Sequence, residues 1–212
     1  MMMKFNILFL FFSLIFTTKS FAHPHSFIDM QVTPEIKEHQ FVGLAFTWKM
    51  DPMTSADIAY ELKNSKEDEP KWRAQAAAIM ANILAQNYFT DFYSQGKKIA
   101  FQTLPSNYRL QRDGLQLIFS FTAQLKHPIP VAGANIEFMT YDPTFFVSMT
   151  YPDQKALHSA KAPQTQCKIT LHEPDVTDEL RFYAYSLDID QSPEEDETLG
   201  LQFAQKVKIQ CQ

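Results

Sequence analysis

The chain is poor in glycine, with five in 212 residues. Loops that cradle phosphate need clustered glycines so that backbone amides can reach the ligand. No such cluster exists here, so nucleotide binding of that kind is excluded. Cysteine is scarcer still, with Cys167 and Cys211 alone. Their wide separation lacks the short Cys-x-x-Cys spacing of a thiolate zinc site. No apolar run reaches the roughly 20 residues that a membrane-crossing helix needs. Positive charge is also in short supply, at 19 basic residues against 24 acidic ones. A nucleic-acid partner wants a basic face and is therefore not expected. Gly-x-Ser-x-Gly and His-Glu-x-x-His are both absent, and no Cys–His pair has credible placement, so no nucleophile or zinc-protease arrangement emerges.

What is present begins at the front. Lys4 is followed by the apolar stretch FNILFLFFSLIF and then by Ser20-Phe21-Ala22, a small-x-small signal. A charged start, a short apolar core and such a signal describe a secretory leader. Cleavage after Ala22 is expected, leaving 1–22 as signal peptide and 23–212 as a single exported domain. The leader removes Lys4 and Lys19 but no acid, so the mature chain is more acidic than the precursor. In an oxidising compartment two cysteines most simply pair, and a Cys167–Cys211 disulfide is expected.

Periodicity predicts the architecture. Ile28, Met30 and Val32 alternate with Phe27, Asp29 and Gln31, the signature of a half-buried strand. FVGLAFTWKM reads as a second strand. A helix is expected from about Thr54, a solvated loop over KNSKEDEP, and a long helix over KWRAQAAAIMANILAQNYFTDFY. The helical excursion thus covers about 53–95. Beyond Gly96 the pattern turns to β: KKIAFQTL, YRLQRDGLQLIFSFTAQL with a turn at Asp113-Gly114, ANIEFMTYDPTFFVSMTY, QCKITLHE and KVKIQC. DVTDELRFYAYSLD and EEDETLGLQFA are expected as short helices. The fold class is α+β, a mainly antiparallel sheet or sandwich with a helical insertion near the N-terminus and short helices near the C-terminus.

The cut after Ala22 makes His23-Pro24-His25 the mature N-terminus. His23 then carries an imidazole and a free α-amine, and His25 adds a second imidazole. Neutral nitrogen donors suit zinc, nickel, cobalt or copper, not calcium or magnesium. In extended chain the two histidines share a face about 6.6 Å apart, while Asp29 lies about 13 Å beyond His25 on that face. Asp29 joins a site only if the chain bends. Pro24 has no N–H to surrender, so a square-planar chelate through successive backbone nitrogens cannot form. That favours a looser, exchangeable site. The plainer alternative is two solvated histidines near a chain end. His172 with Glu173 closes a strand and is a further candidate for missing ligands. His39, His127 and His158 read as solvated loop residues. Asp142, before Pro143, is first of all a turn former, and the aromatics Tyr141, Phe145 and Phe146 around it read as core.

AHPHSFID after the leader, NYFT before a strand, YDPTFFV, and the close LGLQFAQKVKIQC occur in order along nearly the whole mature chain. In these the sequence resembles the uncharacterised periplasmic family called domain of unknown function 1007. The resemblance implies a periplasmic component of a transport system, often beside nickel/cobalt-type permeases and in some members tied to zinc. By motif it implies His23 and His25 as the family's His-x-His, with Asp29 in the same block and Asp142 in the YDPT block. The calcium-hand-like loop of many relatives is replaced here by KNSKEDEPKW, which lacks alternating Asp/Asn ligands and the central glycine. The expectation is therefore a non-enzymatic metal-handling accessory protein with a transition metal as cofactor, zinc foremost. Its partner would be an inner-membrane metal permease, with attachment to the membrane peripheral at most. A copper enzyme built on an N-terminal histidine brace and a metal-free scaffold of a permease complex are the alternatives.

Overall fold

The computed structural model describes residues 24–158, 167–187 and 198–212. The expected leader and His23 lie outside the described residues.

Among the described residues ten strands form two sheets. The first sheet has five: β1 (Ser26–Lys37), β2 (Gln40–Met50), β5 (Tyr108–Asp113), β6 (Gln116–Pro130) and β8 (Val147–Thr150), in the order β5-β6-β2-β1-β8. The second holds β3 (Thr90–Ser94), β4 (Lys97–Lys98), β7 (Asn135–Thr140), β9 (Cys167–His172) and β10 (Lys206–Cys211), in the order β4-β3-β7-β10-β9. Among the described residues the strands pair antiparallel except β1 with β8, where Ser26–Asp29 run parallel to Val147–Thr150, and a single parallel bridge joins Val32 to Leu157. The α+β class and its mainly antiparallel character are as the sequence implied.

The alternation read in β1 is observed. Ile28, Met30 and Val32 are buried while Phe27, Asp29 and Gln31 are exposed. Across the first sheet the register aligns Met30 with Trp48 and Trp48 with Phe119. The second sheet adds Phe92, Ile136, Phe138, Val207 and Ile209 to the same hydrophobic core. Apolar area removed from water on these alternating faces holds the two sheets together.

Two helices, α1 (Pro52–Glu61) and α2 (Pro70–Ala85), follow β2. Asp51 caps α1, accepting from the amides of Met53 at 2.8 Å and Thr54 at 3.0 Å and from the Thr54 hydroxyl. It also accepts from the Phe27 amide at 2.9 Å, which ties the helix start to the beginning of β1.

The expected long helix ends sooner than its composition suggests. It stops at Ala85, and Asn87, Tyr88 and Phe89 adopt φ of 48, 59 and 53°. Left-handed backbone is unfavourable for such residues and is held by tertiary contacts. Tyr88 is buried and its hydroxyl donates to the Gln102 carbonyl at 2.9 Å. Thr90–Ser94, expected as helix, is a strand. KKIAFQTL is a strand only over Lys97–Lys98. Beyond it the chain crosses to the other sheet, where Gln102 donates its amide to Gln124 at 2.7 Å and the Ala100 carbonyl accepts from Lys126 at 2.8 Å. Buried Phe101 explains the crossing.

Two further helices, α3 (Asp178–Ser186) and α4 (Leu199–Gln202), complete the described chain. Of EEDETLGLQFA, the residues before Thr198 lie outside the described residues. Phe145, Ala184, Leu187 and Leu199 form a separate small core with Leu180 and Phe203 packed on it. The disulfide Cys167–Cys211 joins directly opposed residues of β9 and β10 and closes a loop of 44 residues that contains both helices. Closing such a loop stabilises by about 4 kcal/mol in the chain-entropy account. Among the described residues no helix is long and apolar enough to cross a membrane.

Candidate functional site

A cleft of about 890 Å³ lies where the start of β1 meets the C-terminal helices. Its floor is the outer side of the first sheet at the β1–β8 edge. Phe27 pairs with Ser148 there, and both line the cleft, as does Thr150. Asp29 is the register partner of Thr150 and shares that outer face. The walls come from Glu173, Arg181 and Tyr185, with Phe145 and Phe203 between them. Phe145 and Phe203 stack with centroids 3.9 Å apart.

The segment just after the expected cleavage point borders this cleft. Pro24 lines it. His25 donates its backbone N–H to the Phe146 carbonyl at 2.9 Å, and its ring lies 4.7 Å from that of Phe146. His25 and Asp29 have the same strand parity, as the sequence implied, but Phe27 stands between them on that face and carries half its surface exposed.

Asp142 folds the turn that its place before Pro143 implied. It is buried, and its carboxylate accepts from the Thr144 amide at 3.1 Å, the Thr144 hydroxyl at 3.0 Å and the Val147 amide at 2.9 Å. Both oxygens are thus spent on folding the YDPTFF turn, in which Phe145 takes φ of 57°. Of the aromatics read as core there, Phe145 is buried, whereas Phe146 is partly exposed and carries His25.

His172 is exposed, with a ring nitrogen 3.2 Å from the Thr170 hydroxyl. The next residue, Glu173, is the one that lines the cleft. Its two carboxylate oxygens accept from Gln205 Nε2 at 2.8 and 3.0 Å. Gln205 is itself buried and grips the backbone of Tyr151, accepting from its N–H at 2.6 Å and donating to its carbonyl at 3.1 Å. Tyr151 is fully buried, and burial pushes its phenol above the ordinary range. A carboxylate fixed through a buried amide to a buried backbone is held in one place before any ligand arrives.

Among the described residues no three His, Cys, Asp or Glu side chains assemble into a metal site. His25, Asp29, Asp142 and His172 are not brought together, and His23 lies outside the described residues. Sequence reasoning named Glu173 with His172 as a candidate for missing metal ligands, and it missed Arg181 and Gln205. The one signal for Glu173 was its place at the end of a strand. Its tie to Gln205, 32 residues away, has no local mark.

These features define a two-sheet α+β domain with a side cleft beside the start of its first strand. The chain belongs to a family described as protein of unknown function (DUF1007), whose model matches residues 8–211. An uncharacterised protein of Haemophilus influenzae is 38% identical over 192 residues, which cover 90% of this chain and 92% of that protein. No solved structure matches.

Proposed function

We propose that this chain is an exported metal-handling accessory protein that captures a transition metal ion, zinc foremost, at its mature N-terminus and exchanges it with an inner-membrane permease. His23 would give an α-amine and an imidazole, and His25 a second imidazole. Nitrogen donors of this kind hold zinc, nickel, cobalt or copper. The protein's work in this reading is binding and transfer, with no bond made or broken in a substrate. The permease partner rests on the family resemblance alone.

The observation that supports the reading is the anchoring of Pro24 and His25 at the rim of the cleft whose wall carries Glu173. A tethered segment loses less freedom on binding an ion than a fraying one. Because the nitrogens must be deprotonated to bind, affinity falls as pH drops through the imidazole and amine range.

Calorimetric titration of the processed protein with zinc, nickel, cobalt and copper tests this. One comparison form carries an extra residue before His23, and another is His25→Ala. Tight binding by the processed form, weakened at least about tenfold in each comparison form, is expected for lost nitrogen ligands. Absence of heat with all four ions would refute the reading.

A further inference from the structure

We propose that the cleft is a binding site for the zwitterionic form of a short peptide, with Glu173 receiving the free α-amine and Arg181 the α-carboxylate. The inference goes beyond the metal reading, whose ligands are His23 and His25, and uses none of those ligands.

Three observations carry it. The first is size: about 890 Å³ lies within the range of small-molecule sites and has room for more than one amino acid. The second is charge. Among the described residues the cleft carries one carboxylate, Glu173, and one guanidinium, Arg181, and neither is part of an ion pair with another described residue. Among the described residues Glu173 bonds to the neutral amide of Gln205, which fixes its direction and brings no opposite charge. Arg181 presents a planar fork that matches a carboxylate with two parallel hydrogen bonds. The third is the surface between them. Phe27, Phe145 and Phe203 supply apolar wall, and Ser148 and Thr150 supply hydroxyls able to meet a peptide group. An apolar trough with opposite charges complements a molecule with charged ends and an apolar middle.

The anion and cation of the site are both exposed, so each contact is weakened by water. Selectivity then depends on satisfying both ends at once.

Calorimetry on metal-free protein, prepared by dialysis against a chelator, separates this site from the N-terminal one. The probes are phenylalanyl-alanine, its N-acetyl form, its C-terminal amide, and free phenylalanine. The uncapped dipeptide is expected to bind, and either cap to weaken binding by about tenfold, the usual worth of a charge-assisted hydrogen bond. Glu173→Gln should abolish discrimination against the acetyl cap alone, and Arg181→Gln discrimination against the amide alone. Circular dichroism establishes that both variants are folded. Absence of heat with the dipeptide, or equal affinity for capped and uncapped forms, overturns the proposal. Free phenylalanine binding as tightly as the dipeptide overturns the assignment to a peptide.

Discussion

Gly200, the second residue of α4, lies directly against the backbone of Asp142: its N–H donates to the Pro143 carbonyl at 2.9 Å, and a Cβ at position 200 would overlap the Asp142 carbonyl oxygen. Two motifs almost sixty residues apart, YDPT and LGLQF, are therefore one contact. The contact is backbone on backbone, so no rotamer change relieves a side chain placed there.

Gly200→Ala is expected to push α4 off the turn. Overpacking of this kind costs about 1–3 kcal/mol, and more when only backbone can move. The thermal midpoint should fall by several degrees. The stack of Phe145 on Phe203 should loosen with it, and amide exchange at Gly200 and Leu201 should accelerate. A midpoint equal to that of the parent would show that the two segments do not meet as described.

Asp142→Ala removes the acceptor of three donors and leaves the part-buried Thr144 and Val147 amides without it. A cost of about 2 kcal/mol is expected from such orphaned groups. Asp142→Asn should rescue only part of it. Each carboxylate oxygen faces a backbone N–H, so the Asn amide nitrogen must oppose one of them. Denaturant unfolding measures both. At a temperature where the variants remain folded, zinc titration should match the parent, because these oxygens serve the turn.

Acid should loosen the junction of β1 and α1. Burial acts to raise the Asp51 pKa, but hydrogen bonds from the Thr54 hydroxyl and the amides of Phe27, Thr54 and Met53 outweigh it and hold the carboxyl below its ordinary value. A group with a depressed folded pKa contributes stability above its unfolded pKa, near 4, and loses it as pH falls through the folded value. Glu137 acts with the same sign. Burial opposes ionisation there, and Lys206 and Lys208 reverse it. The gap in thermal midpoint between the parent and Asp51→Asn should be full at pH 6 and shrink steadily below about pH 4. A gap that does not change with pH would refute the assignment.

The sheets were legible because burial on one face imposes a period of two. Ile28, Met30 and Val32 announced their inward face without any partner in view, and Asp113-Gly114 announced the β5–β6 turn. Composition misled where tertiary burial overrode it. Alanine-rich sequence ran on toward a helix, but Tyr88 is worth more inside the core than in another helical turn, so the chain reverses hand at Asn87. The candidate site divides in the same way. His23-Pro24-His25 drew attention because its chemistry lies within three consecutive residues. The cleft could not be read, since Phe27, Ser148, Glu173, Arg181 and Gln205 come from five separate segments.

By itself, the sequence determined the class of fold, the strand faces, the pairing of the only two cysteines and the family. Each of these follows from local periodicity, from elimination, or from short motifs in order. Only the tertiary structure decided that the turn at Asp142 packs against Gly200, that Glu173 is held by Gln205, and that a cleft opens beside Pro24. Those depend on which distant segments touch, and contacts between distant segments leave no periodic trace in the chain.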